Sequence, residues 1–349
     1  MVNRLPVKSR NRRATMNDVA ALAGVSLKTV SRVINGETTV NPELAQRVHV
    51  AAEELRYQPN FGASALRRID RRTSTIGVLL QDLSNPLAAT MLRSIETVAS
   101  DRNVSVLSGS LDDSLEREHE LTTSMSRHGV DGVIIAPASH DHHYLVTEQQ
   151  AGVPYIFIDR PPQNLMADQV LVDSRAGAAD AVRHLIKHGH RRIGFLGDSS
   201  SLFVGHERHL GYTHALTTAG LPIDPAIVAR DLRTIGGAQE AVHNMLTSTN
   251  PPTAFFASQN LLTVGAVHAL RHAGVHHHTA LIGFEDFLLA DLLDPGVSVV
   301  AYDVSAMAAL AAQLLFDRID GLRPAPRHFV TPTTLIRRGS GEIEPLLDP

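Results

Sequence analysis

Polar side chains that could bind a hydroxylated small molecule follow short hydrophobic runs of the chain, at the points where the runs end. These polar stretches are Gln81-Asp82-Leu83-Ser84-Asn85-Pro86, Asp159-Arg160, Asp173, Asp198, Gln259-Asn260 and Glu285-Asp286. Carboxylates, amides and an arginine suit a polyol, because each hydroxyl group both donates and accepts a hydrogen bond. The alternative is that acidic residues at strand ends cap the following helices, which we expect for about half of these positions.

The hydrophobic runs themselves have the length and composition of buried parallel strands. They comprise residues 76–80, 104–109, 132–137, 155–159, 170–173, 193–198, 227–231, 254–258, 280–284 and 297–303, with a last strand at 331–339. Helical windows alternate with them, near 86–102, 114–128, 141–151, 175–189, 204–220, 237–247, 260–273 and 304–320. This alternation predicts βαβ units and two similar lobes of doubly wound parallel sheet. Because open α/β sheets bind ligands at the carboxyl ends of their strands, we expect the ligand site there.

A second set of polar residues lies near the N-terminus, on three predicted helices. Thr15 and Asp18 have the spacing of a capping box, and Ser26 is placed to cap the second helix after a break at Gly24. Asn41-Pro42 opens the third helix with a capping side chain followed by proline. Two short helices joined at a glycine form a helix-turn-helix, whose second helix enters the DNA major groove.

Residue spacing gives the second of these helices two faces. The inward face carries Val30, Val33 and Ile34, and the outward face carries Leu27, Lys28, Ser31 and Arg32. Lysine and arginine can donate to O6 and N7 of guanine, whereas leucine offers only apolar contact, for instance to a thymine methyl group. The outward face is therefore predicted to read base edges.

Charge is divided unevenly along the chain. The net charge is −4, but the residues up to Arg72 carry +7, so the remainder carries −11. A basic segment on an acidic body favours a polyanionic partner at one end only, because phosphate neutralisation dominates the sequence-independent affinity for DNA. There is no cysteine, which excludes disulfides and thiolate metal sites. We find no secretory signal and no apolar run of about 18 residues, so we expect a cytoplasmic protein without a membrane partner.

Motifs of enzymes and metal sites are missing from the sequence. The stretches His140-Asp141-His142-His143 and His276-His277-His278 do not place three imidazoles on one helix face or strand side. There is no P-loop, no G-x-S-x-G and no dinucleotide-binding glycine motif. We therefore expect no enzyme activity, no metal and no cofactor, although fold alone does not exclude a sugar-transforming enzyme.

The stretches DVAALAGVSLKTVSRVINGETTV, AAEELRYQPN and ALRR resemble the DNA-binding headpiece of the LacI/GalR family of bacterial transcription regulators. The resemblance continues at lower density through nearly the whole chain. It implies an all-α helix-turn-helix headpiece and a two-lobed α/β sensor domain similar to periplasmic sugar-binding proteins.

The implied domain order has five parts. They are a disordered basic arm at 1–14, the DNA-binding domain at 15–59, a hinge helix and linker at 60–73, the effector-binding and dimerisation domain at 74–340, and a tail at 341–349. Lobe 1 would comprise about 74–160 and 297–323, and lobe 2 about 161–291 and 327–340. The chain would then cross between lobes near Asp159–Pro162, Asp291–Gly296 and Arg323–Arg327, where prolines punctuate the sequence.

The resemblance also assigns DNA contacts. Leu27, Lys28 and Arg32 match base-reading positions, and the remaining headpiece contacts fall to Thr15, Ser26, Thr29, Asn35 and Tyr57. Pure helix capping is the alternative role for Thr15 and Ser26. In the hinge, Ala63 and Leu66 would lie in the minor groove, with Leu66 wedged between base steps. Gly62 departs from the alanine or β-branched residue usual there, and glycine in a helix costs ~1 kcal/mol relative to alanine.

In the sensor domain, Arg208 of ERHLGY matches an R-x-x-G-aromatic motif whose arginine clamps the ligand. By the same resemblance, the effector-binding residues are Asp82, Asn85, Leu87, Asp159, Val172, Arg208, Gln259 and Glu285. Gln259 and Glu285 replace the shorter asparagine and aspartate usual in the family, and Leu87 replaces a frequent aromatic residue. Because longer side chains shrink the pocket, we favour a small effector such as a pentose over a disaccharide.

The function expected from these features is that of a homodimeric, effector-responsive transcription regulator. It would bind near-palindromic double-stranded operator DNA, because two-fold protein symmetry matches two half-sites. We expect a repressor controlled by a small sugar. The alternatives are a nucleoside, purine or sugar-phosphate effector, or a DNA-binding protein without any ligand.

Overall fold

The structure is a computed structural model that describes residues 14–34, 37, 39–57 and 72–346. It divides the chain into two compact units, with the division between Thr73 and Ser74. The predicted hinge residues Gly62, Ala63 and Leu66, most of the basic arm and Asn35 lie outside the described residues.

The N-terminal unit contains three helices, α1 (Met16–Ala23), α2 (Leu27–Ile34) and α3 (Pro42–Glu54). α1 begins with the expected capping box, in which the Thr15 amide donates to Asp18 at 2.8 Å. The three helices bury small and β-branched side chains in one core: Val19, Ala20, Ala23, Val30, Val33, Val48 and Ala51. This short apolar set packs the three helices together.

The first sheet of the C-terminal unit has six strands, and all of its neighbouring pairs are parallel. The strands are β1 (Thr75–Leu80), β2 (Ser105–Ser110), β3 (Val133–Ile135), β4 (Tyr155–Ile158), β5 (Asp168–Val172) and β11 (His328–Thr331), in the order β11-β5-β4-β3-β1-β2. The helices of this lobe are α4 (Pro86–Ser100), α5 (Leu115–His128), α6 (Val146–Gln150) and α11 (Val304–Ile319). This is lobe 1.

The second sheet also has six strands and repeats the same order. Its strands are β6 (Ile193–Leu196), β7 (Val228–Ala229), β8 (Ala254–Ala257), β9 (Ala280–Phe284), β10 (Ser298–Ala301) and β12 (Thr334–Ile336), in the order β12-β10-β9-β8-β6-β7. Only the β10–β12 pair is antiparallel. The helices of this lobe are α7 (Ser174–Lys187), α8 (Phe203–Thr218), α9 (Ile235–Leu246) and α10 (Asn260–His272). This is lobe 2.

The prediction of where the chain passes between lobes was wrong at all three places. β5 pairs with β4 in lobe 1, so the first crossing follows Val172 and not Asp159–Pro162. β10 pairs with β9 in lobe 2, and the next helix, α11, packs on lobe 1. The second crossing therefore lies near Tyr302, beyond the predicted Asp291–Gly296.

The third crossing lies between β11 and β12, because these two short strands belong to different sheets. The predicted single strand over 331–339 and the crossing at Arg323–Arg327 were both wrong. Lobe 1 thus includes 168–172 and 304–331, whereas 298–301 belongs to lobe 2. The prolines used as crossing signals occupy turns that stay inside a lobe, and strand pairing decides which lobe a segment joins.

Helix starts at the strand ends follow the chemistry of their first residues. Asn85 caps α4 by accepting from the amide of Leu87 at 3.0 Å, and proline occupies the next position. Asp173 caps α7 at 3.2 Å and Asp303 caps α11 at 2.8 Å. Each of these acids lies where the chain enters the other lobe, so the capping alternative is correct for Asp173. Over the described ranges, no helix combines the length and apolarity that a membrane crossing requires.

Candidate functional site

The carboxyl ends of strands from both sheets converge on a cleft between the lobes. The cleft contains about 510 Å³ of space between atoms, a volume that includes the adjoining open solvent. Its lining residues are Leu80, Gln81, Asp82, Asn85, Leu87, Ala88, Met91, Ala136, Asp159, Asp198, Val204, Arg208, Gln259 and Glu285. Seven of the eight predicted effector-binding residues are in this set. Val172 is not, because it lies on β5 with 5% exposure and packs into the core.

Arg208 is the most deeply placed cation of the cleft, at 1% exposure. Its guanidinium donates to the carbonyl oxygen of Ser258 at 2.6 Å and to Oε1 of Glu285 at 2.8 Å. It also stacks 4.0 Å above the ring of Phe284. These contacts hold the side chain rigidly, and its Nε has no hydrogen-bond partner among the described residues. The Nε–H of Arg208 is therefore a buried donor that no described residue satisfies.

The glycine of the R-x-x-G-aromatic motif lets the helix carrying Arg208 lie against its neighbour. A Cβ on Gly211 would come within 2.3 Å of the carbonyl oxygen of Arg175 in α7. Tyr212 is fully buried, and its hydroxyl donates to the carbonyl oxygen of Ile193 at 2.8 Å. The motif thus serves helix packing at Gly211 and Tyr212, and places Arg208 at the cleft.

Asp159 and Glu285 occupy equivalent positions in the two lobes. Asp159 follows β4 and Glu285 follows β9, with φ angles of 67° and 71°. Their amides donate equivalent hydrogen bonds, to Val170 at 2.9 Å and to Val300 at 2.7 Å. Left-handed backbone at non-glycine residues is uncommon and concentrates at functional sites. Each lobe therefore turns one carboxylate into the cleft by the same backbone device.

The buried charged groups of the cleft shift one another's pKa values. Burial raises the pKa of the Glu285 carboxyl, an effect that the neighbouring Arg208 opposes. Burial also raises the pKa of Asp198, against the effects of the Ser199 amide and Arg160. For Arg208, burial acts to lower the pKa, but the carboxylates of Glu285 and Asp159 outweigh it and the pKa is raised. The guanidinium therefore stays charged, and the cleft is acidic around it.

Two amides join the lobes directly across the cleft. Nδ2 of Asn260 donates to Oδ1 of Asn85 at 3.0 Å, and Nδ2 of Asn85 donates to Oδ1 of Asn260 at 3.3 Å. Asn85 is thus engaged twice, as a helix cap and as a partner of Asn260. Gln259 is 8% exposed, and its Oε1 lacks a donor among the described residues. Gln259 thus carries a buried acceptor that no described residue satisfies, and the residue lines the cleft.

Two residues near the cleft carry chemistry that sequence reasoning did not include in the site. Asp198 follows β6 and was recognised only as one of the polar strand-end residues. Tyr302 follows β10, and its hydroxyl oxygen is buried without a partner in the described part of the chain. Burial, with Glu285 and Asp159, raises the pKa of Tyr302 well above the usual value. A correct assignment of β10 to lobe 2 would have indicated that Tyr302 lies near the cleft.

In the N-terminal unit, two residues on the outward face of α2 are exposed, as predicted. Leu27 is 42% exposed, and Lys28 is exposed beside it. Ser26 caps the helix, accepting from the Thr29 amide at 3.1 Å. Arg32 differs from the expectation, because its Nε donates to Glu37 at 2.7 Å and its Nη2 donates to Thr39. Glu37 lies beyond the helix, so helical spacing gave no signal for this pair.

Thr15 and Tyr57, which are also predicted DNA contacts, both take part in the structure of this unit. Thr15 uses its hydroxyl and amide in the capping box with Asp18. Tyr57 is half-buried and packs against the core of the three helices. Arg47 of α3 donates to the carbonyl oxygen of Gly24 at 3.3 Å, which braces the turn between α1 and α2.

Comparison with known proteins gives two matching family models. Residues 182–341 match the periplasmic binding protein-like domain, and residues 15–60 match the bacterial regulatory proteins of the lacI family. The HTH-type transcriptional regulator CelR of Thermobifida fusca is 32% identical over 342 residues, which cover 95% of this chain and 99% of that protein.

Two solved structures are also similar. A transcriptional regulator CelR–cellobiose complex has a TM-score of 0.69 and 30% identity, covering 94% of this chain and 100% of that one. The Lac repressor dimer bound to operator and the anti-inducer ONPF has a TM-score of 0.83 and 23% identity, covering 95% and 99%. The second likeness concerns the fold alone.

Proposed function

We propose that this chain, which belongs to the LacI family of bacterial regulatory proteins, is a repressor controlled by a small sugar. It is a DNA-binding transcription regulator and not an enzyme. The family membership confirms the resemblance in its headpiece motifs. The observation that carries the effector proposal is the cleft between the lobes, where Arg208, Glu285 and Asp159 surround a space with an unused acceptor on Gln259. A hydroxylated ring satisfies such mixed donors and acceptors.

The charge of the cleft favours a neutral sugar over a sugar phosphate. Asp82, Asp159, Asp198 and Glu285 line it, with Arg208 as the one cation among its lining residues in the described chain. Since Arg208 is already paired with Glu285, a phosphate would meet uncompensated carboxylates. The cellobiose complex of a similar regulator supports a sugar of some kind, and the small space favours a compact one.

For DNA, we propose that α2 lies in the major groove with Leu27, Lys28 and Arg32 toward the bases. Exposure of Leu27 and Lys28 on the outward face supports this placement. Thr15, Ser26 and Thr29 would contact phosphates through groups that also cap helices. Asn35, Tyr57, Ala63 and Leu66 keep the DNA roles that the family resemblance implies.

We further propose that the protein acts in the cytoplasm as a homodimer. Three leucines between β9 and β10 are exposed to solvent: Leu288 to 79%, Leu289 to 54% and Leu292 to 74%. A second copy of the chain would bury them and place two headpieces on a near-palindromic operator. Leu288→Asp with Leu292→Asp should give monomers in sedimentation, whereas Met166→Asp, at a residue of lobe 1 with 74% exposure, should not.

The test of the proposed function is an operator titration with and without sugars. Genomic fragments selected by the full-length protein provide the labelled duplex, and fluorescence anisotropy measures its binding against random DNA. We expect one neutral sugar of the panel to weaken operator binding while leaving random DNA unaffected. Tighter operator binding with the sugar would contradict the repressor assignment, and no effect of any sugar would contradict the effector assignment.

A further inference from the structure

Arg32, a predicted base-reading residue of α2, is held in place by the chain that follows the helix. Its Nε donates to Oε2 of Glu37 at 2.7 Å, and its Nη2 donates to Oγ1 of Thr39. The amide of Glu37 donates to the carbonyl oxygen of Arg32 at 3.0 Å, so the backbone turn itself brings Glu37 back to Arg32. Folding of the N-terminal unit is therefore enough to make these contacts, without any DNA.

The pair of Arg32 and Glu37 lies at the surface of this unit. The two side chains are 37% and 47% exposed. Exposed ion pairs contribute little to folding stability, because water screens them and two long side chains lose conformational freedom. The main effect of this pair is therefore on the orientation of the guanidinium group, and not on folding.

A guanidinium group has two edges that can each donate a pair of parallel hydrogen bonds. One edge comprises Nε and Nη2, and the other comprises Nη1 and the outer hydrogen of Nη2. Glu37 and Thr39 occupy the first edge, and no described residue accepts from Nη1. Arg32 thus keeps free the edge that can donate to both O6 and N7 of a guanine.

We propose that Glu37 is a specificity-determining residue, which positions Arg32 to read one guanine in each half of the operator. The inference rests on the proposed function, because it requires α2 to lie in the major groove with Arg32 toward the bases. An arginine that is already oriented loses less conformational freedom on binding than a free one. The carboxylate of Glu37 also repels phosphates, which weakens binding to DNA of any sequence. Orientation therefore raises the ratio of operator affinity to random-DNA affinity, whereas the charge leaves that ratio unchanged.

Two variants of the full-length protein separate orientation from charge. Fluorescence anisotropy measures their binding to the operator selected from genomic fragments and to random DNA. Glu37→Ala removes both the acceptor and the charge, so it should lower the operator-to-random ratio about tenfold, since a dimer carries two such arginines. Glu37→Gln keeps a side-chain oxygen for Nε of Arg32 but removes the charge. It should strengthen binding to both duplexes and keep the ratio within about threefold of the wild type.

Single base-pair changes in the operator locate the effect. Arg32→Ala identifies the guanine that Arg32 reads, as the position where replacement of the base pair no longer lowers the affinity. In Glu37→Ala, the loss of discrimination should be confined to that position, whereas a merely structural role of Glu37 would weaken discrimination at all positions. Glu54→Ala is the control for charge and should keep the ratio, because this exposed acid of α3 has no hydrogen bond to Arg32.

The outcomes distinguish this inference from the proposed function. No preference of the wild type for operator over random DNA would contradict the proposed function itself. If Arg32→Ala keeps the operator-to-random ratio, the base contact of Arg32 and the role of Glu37 are both wrong. If Arg32→Ala lowers the ratio but Glu37→Ala keeps it, only the role of Glu37 is wrong. An equal loss in Glu37→Gln and Glu37→Ala, or a loss spread over all positions, also overturns that role.

Discussion

The two lobes share one strand order but contribute different chemistry to the cleft between them. Asp159 and Glu285 follow equivalent strands with the same left-handed backbone. In lobe 2, Glu285 meets the buried Arg208, whereas lobe 1 offers apolar residues of α4, Ala88 and Met91, from its facing helix. The repeated fold fixes where side chains emerge, while the helix sequence decides what each lobe contributes to the cleft. Lobe 2 supplies a fixed clamp, and lobe 1 supplies a wall.

Removal of the clamp, the pair of Arg208 and Glu285, should have the largest effect. Arg208→Ala leaves Glu285 buried without its partner, and breaking a buried pair costs about 3–5 kcal/mol. We expect a loss of this size in urea unfolding, together with loss of effector binding. The double variant Arg208→Met with Glu285→Gln should recover much of the stability and none of the binding. Recovery of binding would show that the clamp is dispensable.

Close helix packing in lobe 2 provides the second test, because α7 packs against α8 at a glycine, Gly211. Gly211→Ala would place a Cβ 2.3 Å from a backbone oxygen, so we expect a loss of about 1–3 kcal/mol in unfolding free energy. Gly236→Ala in α9 is the matched control, because a Cβ at that position would meet nothing within 4 Å. That change should be neutral or stabilise by about 0.5–1 kcal/mol. Equal effects at both glycines would refute close packing.

The two lobes also differ in the pKa of a buried aspartate. Burial acts to raise the pKa of Asp168 in lobe 1, but hydrogen bonds from Arg318 and Arg327 outweigh it and the pKa is lowered. Its contribution to stability is therefore present at neutral pH and is lost as pH falls below about 3.8, the usual value. Asp198 has a raised pKa, so its ionised form destabilises the folded state, and stability falls as pH rises above 3.8.

Carboxyl groups titrate between roughly pH 3 and pH 7, so thermal unfolding over this range should distinguish the variants at these two positions. Their melting temperatures should change in opposite directions relative to the wild type. Asp168→Asn should lower the melting temperature at neutral pH, and Asp198→Asn should raise it. At the acidic end, each variant should approach the wild type. The same sign for both at neutral pH would contradict the assignment of a paired acid to lobe 1 and an unpaired one to lobe 2.

The smallest expected effect is at the amide pair that links the lobes. Asn260→Ala removes both hydrogen bonds to Asn85 while leaving the helix cap of Asn85 in place. We expect about 0.5–1.5 kcal/mol from such neutral hydrogen bonds. A double-mutant cycle with Asn85→Ala isolates the coupling from the lost cap. A coupling of zero would mean that the lobes do not depend on this contact.

The sequence was informative where local chemistry decides the structure. Hydrophobic runs with polar ends located the strands β1 to β10, and the capping signals at Thr15, Ser26 and Asn41 matched helix starts. The R-x-x-G-aromatic motif indicated Arg208, which lies at the charged centre of the cleft. The glycine and the tyrosine of this motif are required for the packing of the helix.

The sequence was uninformative where pairing between distant segments decides. Assignment of β5 and β10 to a lobe depends on which neighbour each strand meets, and nothing local in Asp168–Val172 or Ser298–Ala301 indicates it. Tyr302 was missed for this reason. The pairing of Arg32 with Glu37 likewise depends on how the chain turns after α2.

The most direct test of a headpiece controlled by the cleft is a titration of selected operator DNA at several salt concentrations, with the cleft ligand either absent or saturating. The account predicts specific, salt-sensitive binding that weakens about tenfold or more with ligand, and no ligand response in Arg208→Ala. Equal affinity for operator and random DNA, or an operator affinity that saturating ligand leaves unchanged, would contradict it.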